Sequence, residues 1–141
     1  MAKQVLTSPT VVFAGGTISS NVAQVTIAFE ADDVEVTNFG SAGYRERIGG
    51  LKSGTFSMEL HQDYAAGAID STFFSNLGGT VAVAVRPQNG TAAIGTANPE
   101  YRFNVLVTGY DAVDSAVGDL STFSVSYPIT GSATGSASTQ W

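Results

Sequence analysis

The side chains best suited to chemistry in this sequence surround its single histidine. Glu59 and His61 alternate along the chain, so a strand would place both on one face, with Asp63 just beyond. Such a set could form a general base or a metal site. However, the chain has no second histidine, no cysteine and no H-E-x-x-H spacing. An ordinary surface or interface histidine is therefore favoured over a catalytic or metal-binding one.

Two other patterns resemble ligand sites only superficially. The carboxylates Glu30, Asp32, Asp33 and Glu35 lack the D-x-D-x-D-G spacing of a calcium loop, so a solvated face is favoured and weak ion binding is the alternative. The glycines at 40–43 and 49–50 lack the G-x-x-x-x-G-K-[ST] pattern of a phosphate loop, and flexible-arm glycines are favoured. No G-x-S-x-G elbow is present. We therefore expect no enzyme activity, no metal and no cofactor.

The most informative segment is an arm between two predicted strands, from Phe39 to Lys52. It is rich in glycine and holds three of the six basic residues of the chain. A loop of this composition cannot bury its own apolar groups, and such exposed groups mark interaction sites. We expect a docking arm that contacts a partner through Phe39, Tyr44, Arg45, Arg47, Ile48, Leu51 and Lys52.

Length and charge limit the classes of protein that fit. A chain of 141 residues predicts one domain, which we place at residues 1–131, followed by a tail at 132–141 that is flexible or ordered only at an interface. The net charge of −6 argues against nucleic-acid binding, although DNA could pass nearby without sticking. No apolar run suits a signal peptide or a membrane anchor, so we expect a soluble protein made in the cytoplasm.

Period-two alternation of apolar residues predicts that most elements are strands. The predicted strands are residues 22–30, 33–37, 55–61, 81–86, 101–110 and 120–127. In the first, Ala23, Val25, Ile27 and Phe29 share one face, and a kink at Ala31–Asp32 precedes the second. Segments 87–99 and 111–119 are punctuated by Gly, Pro, Asn and Asp and predict loops. Together these patterns predict a mainly β fold, an antiparallel β-sandwich or barrel.

One segment has a helical period instead. In residues 65–77, Ile69, Phe73, Phe74 and Leu77 recur at spacings of three and four before a double glycine. We expect a short helix flanking one end of the sandwich, the alternative being a loop with buried phenylalanines. Residues 131–140 are small and polar without periodicity, so we expect them to be mobile in the monomer. Trp141 is either a docking anchor or an exposed terminus.

An ordered series of motifs runs through residues 22–131. It comprises V-E-V-T-N-F-G, I-G-G-L-K-S-G, T-F-S-M-E-L-H-Q-D, A-G-A-I-D-S-T-F-F, V-R-P, A-N-P-E-Y and G-D-L-S-T-F-S-V-S-Y-P-I-T-G. In this series the sequence resembles the tail tube (major tail) proteins of long-tailed bacteriophages and related prophages. The resemblance implies a β-sandwich with one helix that assembles into hexameric rings stacked as a tube, through which the genome leaves the virion.

The resemblance also implies partners and a location. The arm would reach neighbouring subunits, and other tail proteins such as the tape measure and the terminator would be partners. DNA would pass through without specific binding, in the tail of a virion whose proteins are made in the host bacterial cytoplasm. A tail terminator or a capsid decoration protein is the alternative, while an enzyme or a carbohydrate-binding module is disfavoured because the only tryptophan is the last residue.

Charge suggests how such a tube would be arranged. A ring needs two different complementary patches on each subunit, and the basic arm could meet an acidic face around residues 30–35 of a neighbour. A conduit for DNA should lack basic residues, because these would bind phosphates. The candidate lumen lining is therefore a polar strand face that includes Glu30, Thr55, Ser57, Glu59 and His61.

Overall fold

Eight strands and one α-helix make up the described part of the chain. The computed structural model describes residues 3, 5–7, 9–88, 94–95, 98–135 and 139–140. The strands are β1 (Thr10–Phe13), β2 (Gly16–Thr17), β3 (Val22–Glu35), β4 (Arg47–His61), β5 (Thr80–Arg86), β6 (Tyr101–Leu106), β7 (Thr122–Gly135) and β8 (Thr139–Gln140). The helix, α1, spans Ile69–Ser75. The prediction of a mainly β fold with one short helix is confirmed.

All strands pair antiparallel in one sheet, with the order β2-β1-β5-β6-β7-β4-β3 and with β8 paired to β7. The long strand β7 pairs with β4 over Thr122–Pro128 and with β6 over its second half. Strands three places apart in a flat sheet lie roughly 14 Å apart. The rings of Phe29 on β3 and Tyr101 on β6 are nevertheless only 6.2 Å apart. The sheet therefore folds over along β7, and its two halves face each other as the layers of a sandwich do.

Alternating side chains from both halves fill the space between them. Phe56, Met58 and Leu60 on β4 are buried, whereas the alternate residues Thr55 and Glu59 are exposed and Ser57 is half-buried. The buried, alternating residues of β5, β6 and β7 are Val81, Val83, Val85, Phe103, Val105, Phe123, Val125 and Tyr127. The predicted strand faces are confirmed at these positions. On β5 the valines pack on one side only, since Ala82 is exposed.

The helix closes one end of this core but is shorter than predicted. Residues 65–68 form a turn with Gly67 at φ +76°, and Gly78 at φ +82° follows the helix. Ile69 and Phe73 are buried, whereas Phe74 and Leu77 are exposed, so only half of the predicted apolar set faces the core. The Phe73 ring stacks on Phe13 of β1 with centroids 4.5 Å apart.

Two irregularities alter the expected faces of β3 and β4. Val22 pairs with Leu60 but Gln24 with Glu59, so the extra residue Ala23 bulges out and is exposed. The prediction that Ala23 shares the core face is therefore wrong, and Val22 packs there instead. The expected kink at Ala31–Asp32 coincides with a register shift between Ala31 and Asp33, but the extra residue lies in the partner strand β4, at Gly50–Leu51, and β3 continues without interruption.

The segment expected to be structureless begins inside a strand. Residues 131–135 continue β7, where Arg102 pairs with Thr134 and Ala133 is buried. Thr134 also pairs with Gln140 of β8. The prediction of a mobile segment from residue 131 is thus wrong for 131–135. Residues 136–138 and Trp141 lie outside the described residues.

Candidate subunit interface

The arm is the outer half of a β-hairpin made by β3 and β4. Every residue from Phe29 to Ser53 is exposed except Ser41. An isolated two-stranded ribbon is only marginally stable in water, and here neither face of the ribbon is covered. Apart from Ser41, this projection buries no side chain against its own chain, as is typical of a segment that binds a partner.

The expectation of a flexible glycine arm needs correction. Four of the seven predicted arm residues, Arg47, Ile48, Leu51 and Lys52, lie in β4 rather than in a loop. Gly49 pairs with Asp33 and Lys52 with Ala31 across the ribbon. Pairing with β3 on both sides of Gly50–Leu51 holds this segment extended, so only Val36–Glu46 forms the connecting loop.

This loop is ordered by local hydrogen bonds. Asn38 Oδ1 accepts from the Gly40 N–H at 2.8 Å, and Ser41 Oγ accepts from the Asn38 N–H at 3.1 Å. Ala42 and Gly43 then adopt positive φ angles of 51° and 86°, which reverse the chain. The remaining predicted arm residues, Phe39, Tyr44 and Arg45, lie here, and the Phe39 ring is fully exposed. The loop thus presents aromatic groups on a preformed turn.

The bulge at Gly50–Leu51 gives the two ribbon faces different characters. Because cross-strand partners share a face, Val34 and its partner Ile48 lie on the face that carries Glu30. A Cβ added to Gly50 would lie 3.1 Å from the Asp32 Cβ and from the Val34 Cγ2, so these groups crowd together on that face. The opposite face carries Arg47, whose Nη1 donates to Asp33 Oδ2 at 2.5 Å.

This ion pair changes the expected charge matching. The acidic segment 30–35 lies on the same hairpin as the basic residues, and Arg47 already has a partner there. Among the described residues, Arg45 and Lys52 form no ion pair. Arg86 lies 3.7 Å from the buried carboxylate of Glu100, and Arg102 donates to the same carboxylate. Of the three described cations without an ion pair, Lys3, Arg45 and Lys52, two therefore lie on the hairpin.

The five candidate lumen residues do lie on one face of the sheet. Across β3, β4 and β7 the register aligns Gln24 with Glu59 and Ser124, and Thr26 with Ser57 and Ser126. Thr55, His61 and Glu30 continue the same face, and Ser57 Oγ donates to Ser126 Oγ at 3.1 Å. Residues 22–30, 53–61 and 122–128 contain no Lys or Arg. This surface is a hydroxylated, acidic strip, shallow and open.

A second polar network lies at the helix end of the core. The Tyr110 hydroxyl donates to Asp70 Oδ1 at 2.7 Å and accepts from Gln62 Nε2 at 2.7 Å. Burial, and then the Asp70 hydrogen bond, raise the pKa of Tyr110 to about 12. Burial also raises the pKa of Tyr127, whose hydroxyl donates to the Gly109 carbonyl. These groups keep their protons at neutral pH and hold the ends of the strands together.

The described residues supply no group of three or more His, Cys, Asp or Glu side chains placed to hold a metal ion. Within the same residues, no helix has the length and apolar character of a membrane span. Glu59 and His61 lie on the open polar face, where Asn21 Nδ2 donates to the His61 carbonyl at 3.3 Å.

Sequence reasoning missed a second exposed apolar set, in the connection between β6 and β7. Val113, Val117 and Leu120 are exposed there, beside three carboxylates of the same loop. The signal was present in the segment D-A-V-D-S-A-V-G-D-L, since a short polar loop cannot bury these side chains itself. The same argument had identified the arm.

Comparison with known proteins relates the fold to virus-like particles. No protein-family model and no curated protein matches the chain. A chain from the virion of a native gene transfer agent particle has a TM-score of 0.58 at 18% identity, with 84% of this chain and 86% of that chain covered. A chain from the tail of an empty gene transfer agent particle, refined helically with C6 symmetry, has a TM-score of 0.52 at 18% identity, with 81% of each covered. At this identity the likeness shows a shared fold.

Proposed function

We propose that this protein is a structural, non-enzymatic subunit of a phage-like tail. In this proposal it self-assembles into hexameric rings that stack into a tube, and the tube conducts the genome during ejection. The observation that carries the proposal is the projecting β3–β4 hairpin, which exposes apolar and cationic groups that no part of the described chain covers. A protein that functions alone gains nothing from such a projection, whereas a polymer subunit needs it.

Three further features support this function. The fold is shared with a chain from a tail particle of C6 symmetry. The β3–β4–β7 face offers a wall without basic groups, which would let DNA slide without binding. The surface of the chain is weakly charged overall, with 13% charged residues, so copies can pack closely with little repulsion.

The hairpin can be removed without disturbing the core. Ala31 and Lys52 are cross-strand partners, so an Asn-Gly turn replacing residues 32–51 would close the ribbon at that pair. We expect the shortened protein to remain a folded monomer with a thermal midpoint close to that of the full chain, because only Ser41 among the removed residues is buried. We expect the full chain at equal concentration to form tubes in negative-stain electron micrographs.

The alternatives give different images. A tail terminator would stop at single rings, and a capsid decoration protein would stay unassembled and bind capsids. Tubes formed equally well by the shortened protein would contradict the role of the hairpin. If the full chain never assembles at any concentration, the tail tube proposal is wrong.

A further inference from the structure

Two exposed apolar surfaces lie at opposite ends of β4. The hairpin loop joins the start of this strand, at Arg47. The loop of residues 111–120, here called the acidic loop, adjoins its end, where His61 pairs with Thr122 and the Gln62 N–H donates to the Ser121 carbonyl at 2.8 Å. Fourteen residue steps separate the ends of β4, which corresponds to roughly 46 Å in an extended strand. The two surfaces therefore cannot meet within one chain.

The two surfaces are complementary in charge as well as in apolar character. The hairpin exposes the rings of Phe39 and Tyr44, together with the cations Arg45 and Lys52. The acidic loop exposes Val113, Val117 and Leu120 between carboxylates. Its charged residues are Asp111, Asp114 and Asp119, and it contains no Lys or Arg. Apolar centres with opposite charges at their rims are the arrangement that protein interfaces favour.

The acidic loop is held in place rather than formed on binding. The Tyr64 hydroxyl donates to the Ala112 carbonyl at 2.6 Å, and Gln62 Nε2 donates to the same carbonyl at 3.0 Å. The Asp119 N–H donates to the Ala116 carbonyl at 3.2 Å, and Gly118 within this turn has φ +90°. A preformed surface loses little conformational entropy on docking.

We infer that the hairpin of one copy docks on the acidic loop of a second copy, which joins subunits head to tail along the direction of β4. This inference rests on the proposed self-assembly and names the surface that receives the hairpin. Each added copy leaves one free hairpin and one free acidic loop, so the contact is heterologous, and because the two surfaces lie at opposite ends of β4 it extends along that strand rather than around a ring. The contact therefore belongs between successive layers of the polymer.

Charge reversal tests the pairing directly. One variant carries Arg45→Glu and Lys52→Glu, and the other carries Asp114→Lys and Asp119→Lys. Each should raise the critical concentration for assembly by about tenfold or more, because like charges then meet at the contact. An equal mixture of the two variants should assemble again. The acidic hairpin of the Arg45→Glu, Lys52→Glu variant fits the basic loop of the other variant, whose own hairpin is native and fits the native loop of the first. A mixture that stays unassembled while the native chain polymerises would overturn the inference.

Cysteine cross-linking gives a second readout, which can be used even if the charge variants fail to fold. The chain has no cysteine, so a variant with Tyr44→Cys and Val117→Cys should form a ladder of disulfide-linked chains under mild oxidation of the assembled protein. The matched control carries Tyr44→Cys and Ser57→Cys, on the polar sheet face, and should not form a ladder. A competing pair, Tyr44→Cys with Phe74→Cys, asks whether the exposed helix face is the receiver.

The outcomes separate this inference from the proposed function. Assembled tubes without a Tyr44–Val117 ladder, or with a ladder only from the Phe74 pair, overturn the docking surface and leave the tail proposal standing. A native chain that remains monomeric overturns both. A ladder from the Val117 pair together with rescue in the charge-reversed mixture establishes the contact.

Discussion

Val34 lies directly opposite Ile48 in the hairpin, on the face that carries Glu30 rather than the face that carries Phe29. Strict alternation along β4 would place Ile48 with Phe56 and Met58 on the core side. The extra residue at Gly50–Leu51 reverses the alternation, so Ile48 turns to the other face and Arg47 turns towards Asp33. One bulge thus places Val34 and Ile48 on one face of the ribbon and the Arg47–Asp33 ion pair on the other.

Deleting Gly50 should remove this bulge together with the local bend and twist that it adds to the ribbon. Leu51 alone would then lie opposite Asp32, Ile48 would stay opposite Val34, and the core pairs of β3 and β4 would keep their register, so the direction of the hairpin tip would change but its faces would not. We expect an almost unchanged thermal midpoint but loss of assembly in electron micrographs. The matched control is Gly49→Ala, which keeps the chain length and adds a Cβ with no atom within 4 Å. Normal assembly of the deletion variant would show that assembly does not depend on the bend at the bulge.

The adjacent residues Phe73 and Phe74 should differ sharply in their contribution to stability. Phe73 is 0% exposed and its ring contacts Phe13, Tyr110 and Phe123, whereas Phe74 is 69% exposed. We expect Phe73→Ala to lower the free energy of unfolding by about 3–5 kcal/mol, through lost burial and a residual cavity. Phe74→Ala should change it by no more than about 0.5 kcal/mol. Urea denaturation of the monomer measures both, and similar values would refute the assigned packing.

Stability should fall in alkaline solution because of Tyr110. Its pKa is about 12 in the folded chain, against an ordinary value of 10.0. The folded state therefore retains the proton when the unfolded state has lost it, and the stabilisation present below pH 10 is lost as the pH rises through 12. The urea midpoint should decrease over this range, with Tyr127 contributing in the same direction.

Substitution identifies the group responsible for this alkaline effect. Tyr110→Phe should reduce the steepness of the decrease but not abolish it, because Tyr127 remains. Tyr127→Phe should likewise remove only part of the decrease, because Tyr110 remains. Equal pH dependence in the native chain and the Tyr110→Phe variant would show that the Tyr110 hydroxyl does not contribute.

Lysines on the polar sheet face should slow the passage of DNA if this face lines the lumen. Glu30 and Glu59 both lie on it, and neither forms an ion pair within the described residues. In virus particles built from this subunit, Glu30→Lys with Glu59→Lys should leave the tubes intact but delay DNA delivery, because cations bind phosphates. The Glu30→Gln and Glu59→Gln pair is the control for lost charge. Normal delivery by the lysine variant would place this face outside the lumen.

Local patterns were sufficient for the strands that bury one face. Phe56, Met58 and Leu60, or Phe123, Val125 and Tyr127, alternate with polar residues, and alternation records which side faces the core. The same reasoning found the helix through Ile69 and Phe73, although its ends were overextended because Gly67 and Gly78 interrupt the backbone.

Local patterns failed where the partner strand decides the structure. Gly49 has poor strand propensity, and β3 holds it extended through the pair that it forms with Asp33. Residues 131–135 have no periodicity of their own. They form a strand because Thr134 pairs with Arg102 of β6, about thirty residues away in sequence. Bulges escape detection for the same reason, since an extra residue is defined only against the strand opposite it.

Residue types and their spacing were enough to predict the strands that alternate over a buried face, the one helix, the acidic balance, the absence of cysteine and the exposed apolar groups of the arm. The short strands β1, β2 and β8 and the first half of β4 were not predicted. The folded chain alone shows that the arm is a paired ribbon, that its faces differ, and that its loop and the acidic loop lie at opposite ends of β4. Register and sheet order are set by hydrogen bonds between distant segments, and no single segment encodes them.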